Sequence, residues 1–406
     1  MFGQLKKLNP FKSLTASLML ADSLNTITNI FITTFLVAYF FKTADQNMWA
    51  ISSYFIMFYA AVLFLAFLTG NTIKKGYRLF LYRIGIVTNF FALGLIMVLK
   101  DNVINYLPFS ALLLGSATAL KAFTWNLMVS ENISRAKMIS FRGVLNTIKG
   151  GVKILSPVML GYFLTVDSIS RTILFLLFLM VVELLLTIRF KMPKPKRRVK
   201  FSLWRYYKRT KKDKIINNLY RMEFFNGLSL IGSLNAIVTL YIVYLFKTDF
   251  KLGVITAIFN FVAVLTNLLF AKYGSYRKFT SLISWSLLMA FVGTVLFVIA
   301  PEKGTFIFYN FCCASAVKLF DLTAEVNMFN TANIQTVKRR FKIEYFALRE
   351  MFLNVGRIVS FLILLLFSTI GGFESLKYFI LLLFCFWFGM GINAFSLNKK
   401  LLKEEW

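Results

Sequence analysis

The chain has 406 residues, of which 58% are hydrophobic and 16% charged, and its formal net charge is +30. Soluble proteins carry roughly 25% charged residues, whereas the apolar runs of this chain recur from end to end and can each cross a hydrocarbon core of about 30 Å. This composition excludes a soluble globular protein. The continuity of the apolar runs also excludes a membrane β-barrel, whose strands alternate between apolar and polar residues.

Taken in order, the apolar runs predict an all-α integral membrane protein with twelve transmembrane helices. Each run is followed by a short polar or basic loop. The approximate bounds of the predicted helices are 13–40, 48–69, 78–99, 106–129, 141–165, 170–189, 218–246, 252–271, 279–300, 304–328, 344–370 and 374–396.

The loop charges predict an orientation. Loops on one face are rich in lysine and arginine, for example at Lys74 and Lys75, whereas loops on the other face are balanced, for example Lys100 with Asp101. Short basic loops stay in the cytoplasm. The sequence therefore predicts a multi-pass protein of the cell membrane with both termini in the cytoplasm, and the positive charge indicates topology rather than a nucleic-acid partner.

The segment between the sixth and seventh predicted helices is strongly basic. Residues Arg189 to Lys214 include thirteen basic residues, and their only acid is Asp213. Basic segments with aromatic residues such as Trp204 and Tyr207 are suited to lie on anionic headgroups. We expect 189–216 to be a cytoplasmic loop between an N-terminal six-helix half, 1–188, and a C-terminal six-helix half, 217–406.

Two stretches of the fourth and tenth predicted helices repeat each other. Residues 117–123 read ATALKAF and residues 314–320 read ASAVKLF. Each places a lysine, Lys121 or Lys318, in an apolar run, where a charge costs about 3 kcal/mol on insertion scales. Further matches between the halves keep a nearly constant offset. Such a parallel repeat is typical of transporters with a midplane site between the halves.

With twelve helices, a basic central loop and a six-plus-six repeat, the chain resembles the major facilitator superfamily of secondary transporters. The loop after the second helix is similar to the family signature, since Gly70 and Arg78 fit it and Lys74 stands where the family has an acid. Gly274 and Arg277 lie in the corresponding loop of the second half. The resemblance implies that these two loops take part in gating.

The fifth predicted helix is similar to the antiporter signature of the same family. Gly143, Pro157 and Gly161 match that signature, whereas three further positions do not. Small residues and a proline let helices approach closely and bend. The match favours the family more than it favours antiport.

Cations within the predicted helices are the candidate substrate ligands. In the resembled family the fourth, fifth, tenth and eleventh helices line the central path, and in this chain they carry Lys121, Lys153, Lys318 and Arg357. These cations favour an anionic substrate. The alternative is that internal acids neutralise them and that they serve gating. Polar residues of the first and seventh helices complete the candidate substrate-binding set, namely Asn25, Asn29 and Asn226.

Acids within the predicted helices are the candidate proton-coupling groups. Asp22 and Glu183 have no cation nearby on their own helices, and an unpaired intramembrane acid can titrate during transport. Asp321 is the third candidate. It lies three residues after Lys318, so the two share a helix face and can pair.

We therefore expect a monomeric secondary active transporter that moves an anionic or amphipathic small solute, or a lipid-linked molecule, by alternating access. Two alternatives stay open: a proton-driven efflux permease for drugs or other amphipaths with structural lysines, and a membrane scaffold or sensor that does not transport. The chain has no histidine and its acids are scattered, so we expect no enzyme activity, metal or cofactor. The expected partners are the small-molecule or lipid substrate and anionic lipid headgroups.

Overall fold

The computed structural model describes residues 14–132, 135–188, 190, 200–273, 278–332 and 341–404. These residues form α-helices joined by short connections, and no β-strand occurs among them. The helices are α1 (Leu14–Ile30), α2 (Leu36–Thr43), α3 (Met48–Leu68), α4 (Gly70–Lys74), α5 (Arg78–Leu99), α6 (Leu107–Asn132), α7 (Arg135–Val166), α8 (Ile169–Ile188), α9 (Leu203–Thr210), α10 (Lys214–Leu228), α11 (Leu230–Phe246), α12 (Asp249–Tyr273), α13 (Phe279–Ile299), α14 (Lys303–Ala332), α15 (Lys342–Gly371) and α16 (Leu376–Glu404).

Within the described residues, nine stretches are long and apolar enough to cross a membrane. One of them, Arg78–Val129, spans 52 residues and contains both α5 and α6. Large apolar side chains point outward along these helices, for example Phe64, Phe91 and Phe178, which are 63%, 65% and 64% exposed. Such side chains are suited to contact lipid. A multi-pass membrane protein is thus confirmed, whereas the number of twelve spans stays a prediction.

Polar residues set where several helices begin. The side chain of Asn47 accepts a hydrogen bond from the backbone N–H of Trp49 at 2.8 Å and caps α3. Ser202 caps α9 and Asp213 caps α10 in the same manner. Each cap satisfies backbone donors that the first helical turn leaves without a partner.

The seventh predicted helix is interrupted in the structure. Its predicted bounds, 218–246, contain a break at Ser229, whose extended backbone separates α10 from α11. The Ser229 hydroxyl donates to the carbonyl oxygen of Asn226 at 3.0 Å. Such side-chain hydrogen bonds offer the backbone an alternative to the helix. The first predicted helix, in contrast, is continuous: α1 passes through a π-helical turn, Phe31–Phe35, into α2.

Two antiparallel helix pairs join the predicted N-terminal and C-terminal parts of the chain. One is α7 with α12, where Gly161 and Gly253 bring the backbones into contact: a Cβ atom on Gly253 would lie 2.3 Å from the carbonyl oxygen of Pro157. The other is α3 with α15, where the rings of Phe55 and Phe361 stack at 4.4 Å. The predicted repeat relates α3 to α12 and α7 to α15. The contact of α7 with α12 and the contact of α3 with α15 are therefore equivalent positions of the repeat. The domain bounds themselves stay a prediction.

Candidate functional site

Charged side chains from five helices meet inside the bundle. On one side of this group, Lys149 of α7 donates to Asp22 of α1, with Nζ 2.9 Å from Oδ2. Asp22 is buried and Lys149 is partly exposed. The sequence predicted that Asp22 is unpaired, because no cation lies near it on its own helix. In the structure, its cation comes from a neighbouring helix, α7.

On the other side of this group, Arg349 of α15 binds two carboxylates. Its Nε and Nη2 atoms lie 2.8 and 3.2 Å from the two carboxylate oxygens of Glu223 in α10. Its Nη1 atom lies 2.7 Å from Glu350. Adjacent residues do not usually face each other on a helix, but the long guanidinium side chain of Arg349 reaches its neighbour.

Between these pairs lie Lys153 of α7 and Lys318 of α14. Both side chains are half-buried, and neither ammonium makes a hydrogen bond or ion pair with any described residue. They are close enough for their charges to interact with each other and with Asp321. The expected direct pair between Lys318 and Asp321 does not form. The centre of the group therefore holds two cations from different helices, and the carboxylates of Asp321 and Asp22 lie near enough for their charges to act on Lys153.

Arg357 of α15 borders the same region. Its guanidinium carbon lies 4.9 Å from the ring centroid of Tyr59, and Nη1 donates to Asn354 at 3.3 Å. The Nε atom of Arg357 and the side-chain oxygens of Asn25 and Asn226 are buried, and none of them has a hydrogen-bond partner among the described residues. Buried polar atoms usually have partners, so these atoms mark places where a bound solute or water could be held. Asn29 is half-buried on α1.

Lys121 and Glu183 belong to a separate network. The Nζ atom of Lys121 lies 3.0 Å from one oxygen of Glu183, and the Tyr82 hydroxyl donates to the other oxygen at 2.8 Å. All three residues are buried where α5, α6 and α8 pack together. Glu183 is therefore paired, although no cation lies nearby on its own helix. The repeat-related lysines Lys121 and Lys318 thus have different surroundings.

The predicted gating loop connects the two parts of the chain. Lys74 forms a buried ion pair with Glu344 at the start of α15. The ring of Phe201 packs directly against Gly70, where a side chain would collide with it. Arg78 is buried at the start of α5. The predicted counterparts in the second half, Gly274 and Arg277, lie outside the described residues, so the structure does not bear on them.

A second ion pair joins the same two parts at the opposite end of the bundle. The Nζ atom of Lys42 lies 2.7 Å from Asp249 at the start of α12, and these side chains are 36% and 29% exposed. The Tyr39 hydroxyl donates to Asp101 at 2.9 Å on the same end. An exposed pair of this kind contributes about 0–1 kcal/mol. It can therefore open at little cost.

Three residues that contact the candidate site or the gating loop were not identified from the sequence, namely Glu223, Glu344 and Tyr59. Glu223 and Glu344 lie at the starts of the predicted seventh and eleventh helices, in mixed polar sequence. The sequence of one helix alone does not show what they bind. Tyr59 lies in an apolar run and carries no local signal of its contact with Arg357. The only available sign was the spacing of Glu223 and Asn226, which puts both on one face of α10; the Asn226 amide lies 3.4 Å from Glu223.

Comparison with solved structures defines the class of the fold. A bacterial homologue of the iron transporter ferroportin in the outward-facing state gives a TM-score of 0.65 at 13% identity, over 97% of this chain and 100% of that chain. The nucleoside transporter NupG gives 0.66 at 13%, over 98% and 100%. A bacterial metal transporter gives 0.63 at 12%, over 96% and 98%. The chain therefore shares the fold of these transporters, in agreement with the all-α membrane fold expected from the sequence.

The chain is a divergent example of this fold. No family model matches its sequence. The uncharacterized protein YqgE of Bacillus subtilis (strain 168) is 23% identical to it over 308 residues, which are 74% of this chain and 70% of that protein. At such low identities the similarity defines the fold, and the site must be interpreted from this chain's own residues.

Proposed function

We propose that this protein is a secondary transporter that moves a small solute with an anionic group across the membrane by alternating access. The observation that supports this most is the arrangement of Lys153 and Lys318. Their charges interact with each other, and neither has a salt bridge to a described residue. An anion held between them would relieve the repulsion. One lysine comes from each predicted half. A ligand bound to both lysines would therefore also favour one arrangement of the two halves relative to each other.

The remaining intramembrane cations are less suited to this role. Lys149 is neutralised by Asp22, Arg349 by Glu223, and Lys121 by a carboxylate of α8. A cation that already has a carboxylate partner gains less from an anionic ligand. Lys153, Lys318 and Arg357 thus become the central members of the predicted substrate-binding set, and we assign Lys121 a structural role.

The ion pairs at the two ends of the bundle support alternating access. The ion pairs Lys74–Glu344 and Lys42–Asp249 join the two predicted halves at opposite ends of the bundle. Access to the centre from either end requires the pair at that end to open. Rocking of two halves about a fixed central site is the mechanism of many transporters built from repeats.

For proton coupling we favour Asp321. Asp22 and Glu183 are held in direct ion pairs. Asp321 lies near Lys153 and Lys318 without a direct pair to either. Protonation of Asp321 would raise the positive charge around a bound anion. Anion binding and proton binding would therefore assist each other through the same cluster.

A metal cation is the second candidate substrate, since some similar structures are an iron transporter homologue and a metal transporter. Acids of α10 and α14 lie near the centre, but Lys153 and Lys318 would repel a metal ion there. Within the described parts of the chain, no group of three or more His, Cys, Asp or Glu residues is placed to hold a metal. The charge arrangement therefore favours an anion.

A binding screen on the purified protein tests the proposal. Thermal unfolding in detergent would be followed with small carboxylates, phosphate monoesters, nucleosides and Mn²⁺ as separate ligands. A ligand present at a hundred times its Kd stabilises the folded state by about 2.7 kcal/mol. We expect stabilisation by an anion, lost in Lys153→Gln and in Lys318→Gln and kept in the exposed control Lys303→Gln. Stabilisation by Mn²⁺ or a nucleoside that survives both substitutions would refute the anion assignment.

A further inference from the structure

The short helix α9 has one face fixed to the protein. Tyr206 and Thr210 are almost fully buried. The Tyr206 ring packs against Phe341 at 5.7 Å, and its hydroxyl accepts a hydrogen bond from Tyr220 at 3.3 Å. Burial raises the pKa of the Tyr206 hydroxyl above its ordinary value. These contacts hold α9 in a defined orientation against α10 and the start of α15.

The rest of α9 is uncovered and carries a pair of aromatic rings. Trp204 and Tyr207 are 65% and 40% exposed, and their rings stack at 6.0 Å. The ammonium of Lys208 lies 5.1 Å from the Trp204 ring. Exposed tryptophan and tyrosine next to lysine are typical of protein surfaces at the level of lipid headgroups, where the rings are partly buried and the charges stay in water.

The charge around this aromatic pair is of one sign. The nearest acid in sequence, Asp213, is occupied with the backbone N–H groups of Ile215 and Ile216, at 2.9 and 3.2 Å. The exposed cations of this segment are Lys200, Arg205, Lys208, Arg209, Lys211, Lys212 and Lys214. Each basic residue held near an anionic membrane surface contributes about 1 kcal/mol of attraction.

We propose that residues 200–214 form a surface that binds the anionic headgroups of the bilayer. The surface is fixed to the ends of membrane-spanning helices, which places it beside the headgroup layer. Its charge is complementary to anionic lipid, and its aromatic pair supplies a part that can enter the interface. This inference does not depend on what the protein transports.

The surface continues directly into the Lys74 contact. The backbone N–H of Phe201 donates to Asn71 at 3.2 Å, and the backbone N–H of Ser202 donates to Glu344 at 3.2 Å. Headgroups bound by α9 would therefore hold Phe201 and Ser202 against the ion pair that joins the two predicted halves. The lipid composition of the membrane would act on the same end of the molecule as the predicted gating loop.

The test measures lipid selectivity next to α9 in the full chain. A variant without native cysteines carries a bimane fluorophore on a cysteine that replaces Lys212, and it is reconstituted into phosphatidylcholine vesicles. Either nitroxide-labelled phosphatidylglycerol or nitroxide-labelled phosphatidylcholine is added at equal mole fraction. We expect stronger quenching by the phosphatidylglycerol. Lys208→Gln with Arg209→Gln should reduce this preference about fivefold or more.

Matched variants separate the proposal from its alternatives. Lys278→Gln with Lys399→Gln removes two exposed cations elsewhere and should leave the preference unchanged. Trp204→Ala with Tyr207→Ala should weaken quenching by both lipids while the preference persists. Equal quenching by the two lipids, or a preference that survives loss of Lys208 and Arg209, would overturn the proposal. So would a preference that inorganic phosphate abolishes and chloride of equal ionic strength does not, because the surface would then bind a soluble anion.

Discussion

The ammonium of Lys121 lies 3.0 Å from a carboxylate oxygen of Glu183, and both residues are buried between α5, α6 and α8. The sequence predicts separate functions for them, with Lys121 as a substrate ligand and Glu183 as a proton-coupling group. The geometry instead supports mutual neutralisation, completed by the hydroxyl of Tyr82 at 2.8 Å. Removing either partner would leave a buried charge without compensation.

Lys121→Gln should therefore lower stability rather than substrate affinity. Breaking one side of a buried pair costs about 3–5 kcal/mol. Lys121→Met with Glu183→Leu removes both charges and should recover most of that loss. Thermal unfolding in detergent measures both effects, with the exposed Lys100→Gln as control. A Lys121→Gln variant that unfolds like the native protein yet binds its anion weakly would place Lys121 in the substrate path.

The contact of α7 with α12 depends on the absence of side chains. A Cβ atom on Gly161 would lie 2.7 Å from the carbonyl oxygen of Asp249. Gly161→Ala should therefore cost about 1–3 kcal/mol through overpacking. Gly94→Ala is the matched control, because its Cβ atom meets nothing within 4 Å and alanine favours the helix. Equal unfolding temperatures for the two variants would show that α7 and α12 are not closely packed in the protein.

The Lys74–Glu344 pair should keep one end of the central region closed. Lys74→Glu would put two carboxylates together and open that end, whereas Lys75→Glu alters an exposed neighbour and should do little. The measurement is the rate at which an impermeant thiol reagent, added from the predicted cytoplasmic side, modifies Asn226→Cys in a cysteine-free variant. Adding Glu344→Lys should restore protection only in part, because the backbone N–H of Ser202 also donates to Glu344. Full protection in Lys74→Glu would argue against a gate here.

The sequence predicted the fold well because a bilayer imposes long apolar helices and sorts positive charge to one side. It could not predict the ion pairs that join different helices, because their members are far apart in sequence: Asp22 and Lys149 are 127 residues apart. Helical spacing suggested a pair between Lys318 and Asp321, and three-dimensional packing did not produce it. The break at Ser229 was likewise not predicted, because residues 218–246 were interpreted as one helix.

Coupling to protons is tested at Asp321. Asp321→Asn keeps the shape of the side chain and removes its charge, so we expect transport that no longer depends on a pH gradient while exchange of substrate for substrate persists. Asp22→Asn, in contrast, should leave Lys149 without its partner and lower stability. If accumulation in Asp321→Asn still follows the pH gradient, proton coupling does not run through this residue.

Electrical recording from proteoliposomes on a solid-supported membrane tests the central claim most directly, with concentration jumps of small carboxylates, phosphate monoesters, nucleosides and Mn²⁺ applied in turn. We expect currents for an anion that disappear when Lys153→Gln and Lys318→Gln are combined and persist in Lys303→Gln. Currents evoked only by Mn²⁺ or only in the presence of nucleosides, unchanged by loss of both lysines, would contradict it.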